Sequence, residues 1–229
     1  MTCAIHQPQF LPWLGYLHKI RMADAFVFLD TVQFRKNEFQ NRNRIPSPAG
    51  VQWLTAPVMY RFGQAIREVR LADRARWQER LWRTVEQTYG KTPHFAACHA
   101  GLKDILMRKW EGLAELNLAT VRWLADSFGI RTPSILASAM PEFSEDRSQR
   151  LVDICRHVGA DTYLSGAQAR CYLDVPRFEA AGMRVEFQQF EHPRHEQAQH
   201  SGEFVSHMSA VDGLFNCGGG DAGREKLNL

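Results

Sequence analysis

Short apolar runs alternate with helical stripes along this chain, and several of the apolar runs open directly into clusters of polar residues. Residues 2–6 form a five-residue run of strand length that predicts a buried strand. Over 13–23 the apolar residues Trp13, Leu14, Leu17, Ile20 and Ala23 recur at helical spacing. Pro12 suits the start of that helix, because a first-turn residue has no intrahelical use for its N–H. The run AFVFL at 25–29 is apolar on both faces, as a central strand requires. A polar stretch follows, then Pro46, Pro48 and Gly50 mark a turn before a strand over 51–58. Residues 66–71 alternate apolar and polar, an edge-strand pattern.

Three helices come next. Asp73 is placed to cap one that carries Trp77, Leu81, Val85 and Tyr89 on one face and ends at Gly90. A second runs from Pro93 to about Trp110, and a third spans 113–128. A strand and helix rhythm then resumes. Strands are expected over 133–137, 162–164 and 185–190, with a helix capped by Ser144 after the first and a short helix capped by Ser209 near the end. The Gly-rich tail from about Gly218 reads as flexible. The sum predicts an α/β fold in a single domain over 1–229. A mostly parallel, Rossmann-like sheet is flanked by helices, and the helical segment at about 73–128 packs on it.

Composition narrows the class. With 45% hydrophobic and 23% charged residues, the chain has the make-up of a globular protein with a real core. Its net charge of +3 is carried by one run: between Gln33 and Arg44 stand Arg35, Lys36, Arg42 and Arg44 against Glu38 alone. One basic loop suits a small anion, whereas nucleic-acid binding calls for a broad basic face, so no nucleic-acid partner is expected. The five cysteines are scattered, odd in number and without a CxxC pair, which fits reduced thiols in a cytoplasmic protein. No leader pattern and no apolar run of about 20 residues is present, so no membrane span is expected.

The candidate chemistry sits at the turns. His6 and Gln7 end the first strand, and an imidazole there is placed to act as general base, the plain alternative being a histidine that satisfies turn carbonyls. Trp13, Gly15 and Lys19 lie in the first turns of the helix, where free N–H groups, a small residue and a cation together favour an anion. Asp30, at the end of the second strand, opens the densest polar run: Gln33, Lys36, Gln40, Asn41, Arg42, Asn43 and Arg44. Amides and guanidinium groups are the multidentate donors that sugars and phosphates need, although a solvated loop has the same composition. Asp30 and Lys36 join His6 as catalytic candidates, and the others are read as substrate contacts. Ser165, Gly166 and Arg170 form a turn after a late strand. His192 and Gln197 sit in a polar loop, where HxxH lacks a third nearby ligand and so does not make a metal site.

The segments HQPQFLPWLGYLHKI, FVFLDTVQFRKNEFQNRNRI and WLTAPV, with YLSGAQARCYLD, FEAAGMRVEFQQFEHP and FVSHMSAVDGLFNCGG, resemble the WbqC-like protein family over almost the whole chain. That resemblance implies a role in polysaccharide (O-antigen) biosynthesis, with transfer of a small acyl or aminoacyl group, glycyl among them, to a sugar or nucleotide sugar. It implies a phosphorylated small-molecule substrate and leaves an acyl carrier as a possible partner; no cofactor is identified. His195 stands where the family usually has a tyrosine. The first strand, turn and helix, together with LSGAQAR, also look like nucleotidyltransferases, but Trp13 and Tyr16 occupy the places of their two histidines. Nucleotidyl transfer or adenylate formation is therefore the alternative enzyme reading, and a non-catalytic ligand- or partner-binding protein the other alternative.

Overall fold

A computed structural model describes residues 1–73 and 76–229. The chain opens β1 (Thr2–His6), α1 (Leu14–Arg21) and β2 (Ala25–Phe28), as the apolar pattern predicts. A hairpin of β3 (Arg42–Ser47) and β4 (Gly50–Thr55) follows, then a small pair, β5 (Val58–Met59) and β6 (Arg70–Leu71). The helices α2 (Trp77–Tyr89), α3 (Phe95–Met107) and α4 (Leu113–Ser127) come next. The remainder is β7 (Ser134–Leu136), α5 (Arg147–His157), β8 (Thr162–Ser165), α6 (Val175–Ala180), β9 (Arg184–Phe187), α7 (Ala210–Cys217) and α8 (Gly220–Lys226).

The main sheet has the order β7-β2-β1-β8-β9 and is parallel throughout. It is a Rossmann-like α/β sheet flanked by helices. Its central strands β1, β2 and β8 are buried on both faces, the edge strands β7 and β9 less so, and the side-chain alternation sorts the buried residues into two cores. Ala4, Phe26, Phe28 and Leu164 face a core shared with α1 to α4, α7 and α8. Cys3, Ile5, Val27 and Tyr163 face a second core under α5 and α6. From β1 the chain first builds toward β2 and β7, then returns to place β8 on the other side of β1. The β1/β8 border is thus the topological switch point, where the strand carboxyl ends diverge and leave a crevice.

Several boundaries differ from the sequence expectation. The strand expected over 51–58 is split into β4 and β5 around Pro57, which has no N–H for a ladder. The 66–71 edge strand is a 3-10 turn (Ile66–Glu68) followed by the two-residue β6. Asp73 does not cap α2: the N-cap is Arg76, in the left-handed region with φ 58°, and residues 74–75 lie outside the described residues. The α5 cap is Asp146, which accepts the Gln149 N–H at 2.9 Å, while Ser144 Oγ accepts the Asp146 N–H. The Gly-rich end is helix α8, held because Leu227 and Leu229 are buried in the first core. Among the described residues, no helix is long and apolar enough to cross a membrane.

One carboxylate ties the last third of the chain down. Asp212 on α7, 2% exposed, accepts hydrogen bonds from Tyr89 Oη, His195 Nε2, Gln197 Nε2, Gln199 Nε2 and Asn216 Nδ2, at 2.6–3.2 Å. Three of these donors come from the irregular strap between β9 and α7. A buried carboxylate survives only when its oxygens are saturated in this way. Asp212→Ala leaves those donors without an acceptor and should cost about 3 kcal/mol or more. The urea midpoint would fall and the strap, residues 191–208, would become the first site of limited proteolysis. An unchanged midpoint would show that the strap does not depend on this carboxylate.

Candidate functional site

The crevice at the β1/β8 border is a cleft of about 620 Å³. His6 ends β1 and Ser165 ends β8, and both reach it, with Lys19 and Tyr163 at its floor. Trp13, Gly15 and Tyr16 line it from the start of α1, and the turn from Gly166 to Leu173 lines the opposite side. Phe39 and Arg44 reach it from the polar loop and hairpin, Gln188 and Phe190 from beyond β9, and His207 from the strap. The N-terminal motif and the late turn, 150 residues apart in sequence, therefore form one site. None of the lining residues is an aspartate or glutamate, whereas Lys19, Arg44 and two histidines are among them.

Lys19 is the unusual charge. It is 3% exposed, its Nζ donates to the Ile5 carbonyl at 2.9 Å, and no carboxylate pairs with it among the described residues. The Tyr163 ring lies 5.9 Å from Nζ. Burial drives its pKa from 10.5 down to about 8, even though the nearby Cys3 and Cys155 thiols act in the opposite direction. His6 donates from Nδ1 to the Gln7 carbonyl at 3.1 Å, which leaves Nε2 as the unprotonated acceptor. Burial, and then the Lys19 charge, push His6 down from 6.5 to about 3, so it is neutral at physiological pH. A base that weak accepts a hydrogen bond better than it holds a proton. Ser165 Oγ is buried beside these groups with only an irregular contact to the Tyr163 hydroxyl, and Gln9 Oε1 is buried without a hydrogen-bond partner. Such atoms gain a ligand partner only if the cleft wall shifts on binding.

Aromatic rings close the cleft on one side. Trp13 packs edge-on against Phe190 at 5.6 Å and lies near-parallel to His207 at 5.1 Å and His192 at 6.4 Å. Its indole also explains Gly15: a Cβ there would fall 2.2 Å from the Trp13 ring. The glycine makes room for an indole rather than baring the helix N-terminus, and its carbonyl accepts from Gln188 Nε2 at 2.7 Å. His192 donates from Nδ1 to the Pro193 carbonyl, and its buried Nε2 has no partner.

Most of the polar run serves a different purpose from the one its composition suggests. Asn43 Nδ2 donates to the Phe10 and Leu11 carbonyls at 3.2 and 2.7 Å. Gln40 Nε2 donates to Gln7 Oε1 at 2.7 Å, and its Oε1 accepts the Arg35 N–H. Asn41 joins the Ala56 carbonyl to the Asn37 N–H. These amides are committed to the scaffold. Asp30 accepts both the N–H and the hydroxyl of Ser138, at 2.9 and 2.6 Å, and so pins the end of β2 to the turn after β7. Gln197 holds the strap to Asp212 and Val205. Neither Asp30 nor Gln197 lines the cleft, and Gln33 is exposed beside a backbone bridge to Ala65. Arg42 stacks on Trp53 at 3.9 Å, Arg170 lies over Phe187 at 4.4 Å, and Lys36 and Asn41 line a separate groove.

Of the sequence candidates, His6, Trp13, Gly15, Lys19, Arg44, Ser165 and Gly166 thus converge on the cleft. Tyr16, Phe39, Gln168 and His207 line it too, and Gln9, Tyr163, Tyr172, Gln188 and Phe190 join them without having been singled out. Gln188 and Phe190 carried a signal, since VEFQQF puts polar residues directly after an apolar strand, the position where sheet sites lie.

Lys19→Met tests the charge at the floor. Losing the bond to Ile5 costs about 1 kcal/mol, but removing an unpaired buried cation returns about 3 kcal/mol, so the unliganded variant should be more stable by about 2 kcal/mol. The sign of the pH effect follows from the folded value of about 8 lying below the unfolded 10.5. Between those values the unfolded chain holds more protons, so the native protein gains stability as pH rises through the window. The advantage of Lys19→Met should therefore be full below pH 8 and, above pH 10.5, give way to a deficit of about 1 kcal/mol from the lost Ile5 bond, as read in urea titrations. A destabilised variant at neutral pH would show that the amine is satisfied in the free protein.

A family model described as the WbqC-like protein family matches residues 7–223. An uncharacterized protein of Mycobacterium tuberculosis, Rv1507c, is 34% identical over 219 residues, covering 94% of this chain and 93% of that protein. No solved structure matches the chain. The match takes in both walls of the cleft, from Gln9 to His207, and this chain belongs to the WbqC-like protein family.

Proposed function

We propose that the cleft binds a nucleotide sugar or a similar phosphorylated metabolite, and that the protein transfers a small acyl group, aminoacyl in the narrowest form, to a sugar amine or hydroxyl in polysaccharide biosynthesis. The carrying observation is the buried Lys19 cation at the floor of a cleft that no carboxylate lines. Such a charge is costly in the free protein and is compensated when an anion arrives. Arg44 supplies a second, forked cation suited to phosphate oxygens. Trp13, Phe39 and Phe190 supply flat apolar surface for a ring. The acyl chemistry itself rests on membership of the WbqC-like family.

Each residue then has a task. Lys19 and Arg44 hold the anionic group, or the oxyanion that develops during acyl transfer. His6 Nε2 accepts the hydrogen of the attacking amine or hydroxyl and orients its lone pair. A phosphate beside Lys19 offsets the charge that helps to depress His6 and so strengthens it as a base, although burial, the larger cause, remains. Ser165 Oγ donates to the ligand. That the 165–170 turn and His6 line one cleft also favours a second reading, nucleotidyl transfer, which would appear as pyrophosphate exchange with a nucleoside triphosphate.

Thermal stabilisation separates the readings. A ligand at 100 times its dissociation constant adds about 2.7 kcal/mol, a shift easily seen. Nucleotide sugars should stabilise the protein, and Arg44→Ala and Lys19→Met should each remove the response. Stabilisation by ATP or CTP with pyrophosphate exchange would select nucleotidyl transfer instead. No response to nucleotides, nucleotide sugars or coenzyme A would refute a phosphorylated ligand in the cleft.

A further inference from the structure

A second cavity, about 480 Å³, adjoins the cleft along the hairpin, where Arg44 of the cleft and Trp53 of the groove are paired across the strands. Its base is apolar: Leu54 from β4 meets Trp77 and Leu81 from α2, all three buried. Trp77, Arg80, Leu81 and Thr84 fall at helical spacing and so present one face of α2 to it. Its rim carries Lys36 and Asn37 from the polar loop, Thr55 from β4, and Arg80. No aspartate or glutamate lines it. The Trp53 indole forms a wall and is 42% exposed, with the Arg42 guanidinium 3.9 Å from its ring centre.

The ridge between the two cavities is thin. Trp53 lines the groove and Phe39 lines the cleft, and their ring centres are 6.4 Å apart. Arg44, in the cleft wall, has its guanidinium 6.0 Å from the Phe39 ring and 5.8 Å from the Trp53 ring. Two ligands seated in the two cavities would face one another across these three side chains. An apolar floor and an indole suit the C–H face of a pyranose ring, the hydroxyl and amide rim suits its edge, and the cations suit an anionic substituent.

We infer that this groove is a second ligand site, for a phosphorylated sugar, separate from the cleft. The binding site stands without the transferase reading. Lys36 is the charge contact and Trp53 the ring contact. The polar loop thus serves two cavities, Arg44 facing one and Lys36 the other, which accounts for its density of bases.

Calorimetric titration of the full chain with glucose 1-phosphate tests this, with UDP as the probe of the cleft. Lys36→Glu should weaken glucose 1-phosphate by about tenfold or more while UDP is unaffected. Thr84→Trp, which fills the groove from α2, should give the same loss with the thermal midpoint retained. Lys19→Met should remove UDP and leave glucose 1-phosphate in place. Unchanged glucose 1-phosphate affinity in Lys36→Glu, or its loss in Lys19→Met, would overturn the second site. Inorganic phosphate binding as tightly as glucose 1-phosphate would overturn the saccharide assignment. Glucose 1-phosphate binding that depends on Lys36, with no binding of UDP to the wild type, would sink the nucleotide reading of the cleft and leave this groove standing.

Discussion

Everything around the cleft depends on satisfying the backbone of one irregular segment. Between β1 and α1 the chain passes through Gln7 to Pro12 with no ladder or helix to occupy its carbonyls, and Leu11 takes the left-handed region at φ 45°. A buried carbonyl without a donor costs about 1–3 kcal/mol. Asn43 and Asn117 fill this need, Asn43 at Phe10 and Leu11, Asn117 at Pro8 and at Gln40. The Phe10 N–H reaches the Phe39 carbonyl, and Ala210 donates back to Pro12. The N-terminal loop, the hairpin, α4 and α7 are thereby held in one mesh. Trp13, His6 and Arg44 keep their places because that mesh leaves the loop no other path.

The site sets stability against binding. The cleft retains a cation without a counterion, an imidazole held neutral and a glutamine oxygen without a partner. None of these favours the free protein. The carboxylate anchors of the scaffold, by contrast, are saturated: Asp212 alone gathers five side-chain donors, and Asp30 is closed off by Ser138. Elsewhere in the scaffold Asn117 Oδ1 and His195 Nδ1 are buried without partners, so what sets the cleft apart is its unpaired cation rather than an unmet amide or ring nitrogen.

The strap after β9 shows how a segment without regular structure is still placed with accuracy. His195, Gln197 and Gln199 turn inward to Asp212, and the backbone at Ser209 and Ala210 bonds to Arg44 and Pro12. Held in this way, the strap brings the His192 and His207 rings against Trp13. The histidines of this region therefore divide between anchoring and lining. Among the described residues, no group of three or more histidine, cysteine or acidic side chains is arranged to hold a metal.

What sequence alone determined is what depends on neighbours a few residues away. Period-two and period-3.6 patterns are local, and they marked β1, α1, β2, α3, α4, β7 and β8 nearly to their ends, along with the parallel α/β class. The placing of polar residues at strand ends was local too, and it marked His6 and Ser165, which line the cleft. Only the tertiary structure decided which other polar residues line it. An amide's partner can lie anywhere in the chain: Asn43 finds its carbonyls 32 and 33 residues away, and Asp30 finds its serine at 108. No local pattern encodes that choice. The same holds for Lys36 and Arg44, eight residues apart in one basic run and lining two different cavities. It holds also for the tail, whose glycines suggest freedom until Leu227 and Leu229 join a core drawn from along the whole chain.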